Sequence, residues 1–147
     1  MINKTVLYVE DDESDVFFVK RAFEHLSASH CLRIVRNGLD AMDYLNGSGR
    51  FDDRQRYPEP SLVLLDLKLP GKRGMEVLEW IRQQEQFQTL PVVIFTASDL
   101  EFDRRKNMER GATDYIVKPA DMNKVGEVLS SILDRFLRPG AGESKAV

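Results

Sequence analysis

The sequence predicts an α/β fold: a doubly wound, five-stranded parallel sheet in strand order 2-1-3-4-5, with helices on both faces. Three observations carry this. Short apolar runs alternate five times with amphipathic or charged segments, the pattern of strands joined by right-handed crossover helices. One run, Leu62-Val-Leu-Leu-Asp66, is apolar at every position before its terminal acid and is bounded by Pro60 and Pro70, which suits a strand buried on both faces. A length of 147 residues supports one core of that size without a staple.

The elements follow in order. Thr5 to Val9 is β-branched and aromatic, a strand by composition, and it runs into Glu10-Asp11-Asp12-Glu13-Ser14-Asp15, where five of six residues are acidic. Helix capping and the helix dipole account for Ser14 and Asp15; they leave Glu10 and Asp11 repelling each other at a strand end, as ligands of a divalent cation would. Val16, Val19, Phe23 and Leu26 then mark an amphipathic helix ending near Ser27. Cys31 to Val35 is a second strand, and Asn37-Gly38 turns into a helix carrying Leu39, Met42 and Leu45. The polar run from Asn46 to Ser61, residues 46–61, is a long surface loop, read either as a partner-recognition element or as a tolerated insertion.

Beyond the Leu62–Asp66 strand, Gly71-Lys72-Arg73-Gly74 forms a turn, and a helix runs from Met75 to about Gln86. The turn lacks the spacing and the hydroxyl residue of a phosphate-binding P-loop. Pro91 to Thr96 is the fourth strand. Asp99 to about Arg110 is a charged helix that should pack weakly, stopped by Gly111. Asp114 to Pro119 is the fifth strand, and a cis Lys118–Pro119 bond is compatible with it. The last helix, Asp121 to about Arg138, has an apolar face wider than one sheet contact requires, read either as a homodimer contact across that helix or as a well-buried terminal helix. Residues 1–138 form one domain, and 139–147 are expected to be a disordered tail.

Composition narrows the function. Cys31 is the only cysteine, which suits a reducing compartment and a core position. No secretion signal and no run near the roughly twenty apolar residues of a membrane span is present, so a cytoplasmic protein without membrane partners is expected. A formal net charge of −3 and no basic face argue against nucleic acid.

In the predicted order all strand ends open on one edge of the sheet, where open parallel sheets bind ligands. That edge gathers Glu10 and Asp11, Asp66, Thr96 with the small Ala97, and Lys118 with Pro119. The set suits phosphoryl transfer to a carboxylate. Asp66 would attack phosphorus, a Mg²⁺ (or Mn²⁺) among the acids would offset anion repulsion, and Lys118 and the Thr96 hydroxyl would bind phosphoryl oxygens.

With Tyr115 three residues before the lysine, these residues resemble the response-regulator receiver domains of two-component signalling, over residues 3 to about 138. The resemblance implies a flavodoxin-like fold and a phosphoacceptor at Asp66. It implies a metal site of Glu10, Asp11, Asp66 and the Lys68 backbone carbonyl, and a switch in which Thr96 and Tyr115 move together. It further implies a sensor histidine kinase as partner. The long loop, the wide last helix and the absence of an output domain resemble the stand-alone regulators of bacterial phytochromes. Such a chain is a phosphoacceptor that catalyses its own phosphorylation and dephosphorylation rather than a turnover enzyme.

Two departures stand out. Lys68 places a bulky cation beside the acceptor, and Ser98 follows two after Thr96; both leave the phosphate lifetime open. Asp12 leaves open which two of three adjacent acids reach the metal, with strand register favouring Glu10 and Asp11. A phosphatase of the haloacid-dehalogenase kind would share the Asp, Thr and Lys, but it wants a second Asp two residues after the nucleophile, where Lys68 stands. The remaining alternative is a receiver-like binding module that works without phosphorylation.

Overall fold

A computed structural model describes residues 3–26 and 29–137. Five parallel strands, β1 (Thr5–Val9), β2 (Cys31–Val35), β3 (Leu62–Leu65), β4 (Val92–Thr96) and β5 (Asp114–Val117), lie in the order β2-β1-β3-β4-β5, as the sequence predicts. Helices α1 (Glu13–Leu26), α2 (Gly38–Asn46), α3 (Gly74–Gln83), α4 (Glu101–Glu109) and α5 (Val125–Phe136) connect or follow them.

Period-two alternation along the central strands divides the core into two layers. Leu7, Val9, Val63, Leu65, Val92 and Ile94 face α2 and α3. Val6, Tyr8, Leu62, Leu64, Val93 and Phe95 face α1 and α5. Helix α4 buries only Asn107, in keeping with its charged sequence.

Several elements depart from the sequence reading. The cap of α1 is Asp12, whose Oδ1 accepts the Asp15 backbone N–H at 3.0 Å, so capping does not use the Asp15 carboxylate. Helix α3 stops at Gln83 and the chain continues as a 3₁₀ turn over Glu85–Phe87. The last helix begins as a 3₁₀ turn over Met122–Lys124, which the Asp121 side chain caps by accepting the Asn123 N–H.

The 46–61 segment is not a free surface loop. Phe51 is buried, its ring lies 5.2 Å from that of Tyr44 and 5.1 Å from that of Tyr57, and the Tyr44 hydroxyl donates to the Pro58 carbonyl at 2.8 Å. Arg54 donates to the carbonyls of Leu45 and Tyr57. Aromatic residues scattered through a polar run thus extend the core past the end of α2.

The wide apolar face of α5 is spent within the protomer. Val125, Leu129, Ile132 and Leu133 are buried in the layer shared with α1, and none of the exposed large apolar residues among the described ones lies on α5. The breadth that suggested a dimer contact is therefore accounted for by packing on two partners at once. All described peptide bonds are trans, Lys118–Pro119 included, so the cis form is not adopted. The tail of residues 139–147, Arg138 and Ser27 lie outside the described residues.

One glycine fixes the geometry of the edge. Gly74 opens α3 directly against the end of β3, its N–H donating to the Leu67 carbonyl at 3.0 Å. A Cβ at Gly74 would overlap the Asp66 carbonyl oxygen and reach 2.8 Å from Leu67 Cα. Gly74→Ala should therefore destabilise by roughly 1–3 kcal/mol in urea unfolding, as overpacking does. Gly126→Ala in α5, where an added Cβ meets nothing within 4 Å, should instead stabilise by roughly 0.5–1 kcal/mol.

Candidate functional site at the carboxyl edge of the sheet

Strand ends assemble the site. Glu10 directly follows β1, and its N–H donates to the Val35 carbonyl. Asp66 directly follows β3, its N–H donating to the Val9 carbonyl, so both acids continue the pairing of their strands. Thr96 ends β4 and Lys118 follows β5; the Lys118 N–H donates to the Thr96 carbonyl at 2.7 Å, which fixes one beside the other.

The centre is the Lys118 ammonium. Nζ donates to Glu10 Oε1 at 2.6 Å, to Asp15 Oδ2 at 2.7 Å and to Asp66 Oδ2 at 3.1 Å, so each of its three hydrogens has a carboxylate. Glu10 and Asp66 are almost wholly buried, as is the lysine side chain. Burial lowers the Lys118 pKa, yet the hydrogen bonds from Asp15 and Glu10 and the Asp66 charge outweigh it, and the net shift is upward. The group stays an ammonium.

Glu10 also accepts the Tyr8 hydroxyl at 3.2 Å and the Asp12 N–H at 3.2 Å. Its carboxyl is pushed up to about 7, first by burial and then by the neighbouring Asp66 charge, against the lowering effect of Lys118. One ammonium does not fully neutralise three carboxylates.

Asp66 is further held from its own loop: Oδ1 accepts the Leu67 N–H at 2.7 Å. Beside it, Asp11 and Lys68 line one open cleft with Leu67 and Arg73. Asp11 is exposed at this cleft, and Asp12 Oδ1 accepts the Asp15 N–H as the cap of α1.

The sequence-derived residues thus stand in three relations to the centre. Glu10, Asp66 and Lys118 are in direct contact. Thr96 is buried at the same edge, and its Oγ1 accepts the Ser98 N–H at 3.4 Å. Asp11, Ala97 and Pro119 flank the centre without joining its hydrogen bonds.

Tyr115 is buried with its ring turned in, its hydroxyl donating to the Ser98 carbonyl at 2.9 Å. Ser98 Oγ donates to Asp103 of α4 at 2.6 Å, and Arg104 of α4 donates to the Tyr115 carbonyl at 3.1 Å.

Two contributors were not legible as site residues. Asp15 looked like a capping acid, and Tyr8 an ordinary strand aromatic. The available signal was the surplus of acids over caps between Glu10 and Asp15.

The donor types at this edge, carboxylate oxygens with a nearby backbone carbonyl, are those a hard divalent cation takes. Glu10 and Asp66 already share one cation, the Lys118 ammonium, and the adjoining cleft offers only the Asp11 carboxylate and the Lys68 loop. No three ligating side chains converge as a preformed metal cluster among the described residues. Lys118 occupies the shared face of the two buried acids.

The family model described as the response regulator receiver domain matches residues 6–130. The response regulator Rcp1 of Synechocystis sp. is 34% identical over 129 residues, covering 88% of this chain and 86% of that protein; a solved structure of Rcp1 is its Mn²⁺-bound form, TM-score 0.80. The phosphorylated cyanobacterial phytochrome response regulator RcpA superposes with a TM-score of 0.85 at 30% identity, covering 92% of this chain and 95% of that one. The bacteriophytochrome response regulator RtBRR is 38% identical with a TM-score of 0.74, covering 89% and 77%.

The raised Glu10 pKa sets a pH dependence. An acid whose folded pKa lies above its unfolded value of 4.5 contributes stability at low pH that is lost as pH rises toward about 7. In EDTA, unfolding free energy should therefore fall between about pH 5 and pH 8 by on the order of 2 kcal/mol, and Glu10→Gln should remove that component of the slope. An unchanged slope in the variant would contradict the assignment.

Proposed function

The chain belongs to the response regulator receiver domain family, and from that membership we propose that Asp66 is its phosphoacceptor, Lys118 and Thr96 bind the phosphoryl oxygens, and Tyr115 carries the switch. Family members pair with sensor kinases in two-component signalling and bind Mg²⁺. The observation that carries the assignment is the pairing of a buried strand-end carboxylate, Asp66, with the buried ammonium of Lys118.

Glu10, Asp11, Asp66 and the Lys68 backbone carbonyl would hold the divalent cation, which supplies neutralisation between the anionic nucleophile and the anionic donor. The Mn²⁺-bound form of Rcp1 supports this reading. Asp66 attacks the phosphorus of a phosphohistidine; the new bond runs from its carboxylate oxygen to phosphorus, and the N–P bond breaks with the electron pair leaving on the imidazole. The Leu67 N–H on Oδ1 holds the carboxylate still for this attack. Lys118 meets the charge that arrives. Ala97 leaves room at the entrance, and Pro119 restrains the lysine backbone.

Thr96 then turns its hydroxyl toward the phosphoryl group. Its neighbour Ser98 supplies the carbonyl that holds Tyr115, so the strand end and the ring shift together. The face beside them exposes Leu100, Phe102 and Val117, and we assign the change in partner affinity to that face. The chain acts as a phosphoacceptor that catalyses its own phosphorylation and dephosphorylation. A phytochrome-type histidine kinase is the partner we favour, on the likeness to RcpA and RtBRR. The cytoplasm, where ATP supplies such a kinase, is the compartment this role requires.

Intact mass after incubation with acetyl phosphate and Mg²⁺ tests the assignment. Wild type should gain one phosphoryl group; Asp66→Asn and a chelated control should gain none. Labelling of Asp66→Asn at the wild-type rate would overturn it.

A further inference from the structure

The ammonium of Lys118 is held more closely by Asp15, at 2.7 Å, than by Asp66, at 3.1 Å. Asp15 lies on the first turn of α1, and its side chain makes no other hydrogen bond among the described residues, since Asp12 supplies the cap. Its carboxylate is mostly buried, 19% exposed, and sits where the helix dipole favours negative charge. An exposed acid in a first turn would be explained by that dipole alone. One aimed inward at a buried lysine is not.

On the other side, the Lys118 backbone is fixed: its N–H is bonded to the Thr96 carbonyl and Pro119 follows. Only the side chain is free to redistribute among its partners. We propose that Asp15 is a positioning residue that competes with the acceptor for the Lys118 ammonium, and so sets how tightly the acceptor site holds a phosphoryl group. This rests on the reading of Asp66 as acceptor.

The physics is a division of three hydrogens and one charge. A phosphoryl group at Asp66 brings further anionic oxygens that need Lys118. Were Glu10 to hold a divalent cation, one N–H of Lys118 would be released, while Asp15 would retain a second. Asp15 thereby keeps the buried ammonium paired while the acceptor is empty. The same contact withholds part of the ammonium once the acceptor is filled. Removing the Asp15 charge leaves the phosphoryl oxygens as the best remaining partner.

The test is titration of the full chain with beryllofluoride at saturating Mg²⁺, comparing wild type with Asp15→Asn, Asp15→Ser and Glu13→Gln. Glu13 lies on the same turn but pairs with Arg36 rather than Lys118. Both Asp15 variants should bind roughly three- to tenfold tighter, the range of one charge-assisted hydrogen bond redistributed, and Glu13→Gln should stay within about twofold of wild type, as a screened surface charge does. In EDTA, a double-mutant cycle of Asp15→Asn with Lys118→Gln on thermal unfolding should show the pair coupled, a readout that needs no ligand.

Equal or weaker binding by whichever Asp15 variant folds overturns the proposal. So does tightening by Glu13→Gln of the same size, which would mean net charge rather than the sharing of Lys118. Failure of wild type itself to bind beryllofluoride would strike the acceptor assignment instead.

Discussion

One buried ammonium holds this site together. Carboxylates from the end of β1, the first turn of α1 and the end of β3 converge on Lys118, and without it Glu10 and Asp66 would be like charges facing each other out of water. Burial, and after it the Asp66 charge, still holds the Glu10 carboxyl above its ordinary range despite the lysine. Loss of the lysine would leave buried anions unpaired, which costs far more than an exposed ion pair contributes. The contacts also tie distant parts of the chain: Lys118 lies 108 residues from Glu10, 103 from Asp15 and 52 from Asp66.

The sheet makes that convergence possible. Parallel strands send all their carboxyl ends to one edge, and the pairing of β3 between β1 and β4 sets Asp66 between Glu10 and Thr96. The register continues past the strands themselves, through Asp66 N–H to Val9 and Lys118 N–H to Thr96. Gly74 brings α3 so close behind Asp66 that even one added methyl would overlap the Asp66 carbonyl. Strand order places the reactive groups, and close packing keeps them placed.

The fold and the direct contacts of the site were legible because they rest on local signals. An apolar run buried on both faces, terminated by Asp66, announces a central parallel strand; Thr96 and Lys118 sit at the ends of similar runs. What escaped the sequence was the sharing of side chains between elements. Asp12 and Asp15 are both acids near a helix start, and only the path of the backbone decides that one caps while the other reaches Lys118. The 46–61 segment reads as polar, yet Phe51 and Tyr57 fold back on Tyr44 because an isolated aromatic gains by joining an existing core. The wide face of α5 reads as one surface too many until α1 is seen to share it. In each case composition was correct and the partner was missing.

The two halves of the edge differ in how firmly they are built, and that difference bears on signalling. Glu10 and Asp66 extend the central strands β1 and β3, and Asp15 stands on α1, which packs on α5 through a continuous apolar layer. Thr96, Ser98 and Tyr115 lie toward α4, which buries a single residue, Asn107, whose Oδ1 has no hydrogen-bond partner. Elements with few buried contacts open at lower free energy than the core around them. At the firm half Glu10, Asp15 and Asp66 are all already bonded to Lys118, so a charge change there must redraw those contacts. At the other half, Asp103 on Ser98 and Arg104 on the Tyr115 carbonyl tie the strand ends to α4 by polar bonds, with the Arg104 guanidinium 5.9 Å from the Tyr115 ring centre. In the switch proposed above, the weak packing of α4 would serve a purpose: a helix sealed by apolar burial would hold its face fixed whatever happened at Asp66.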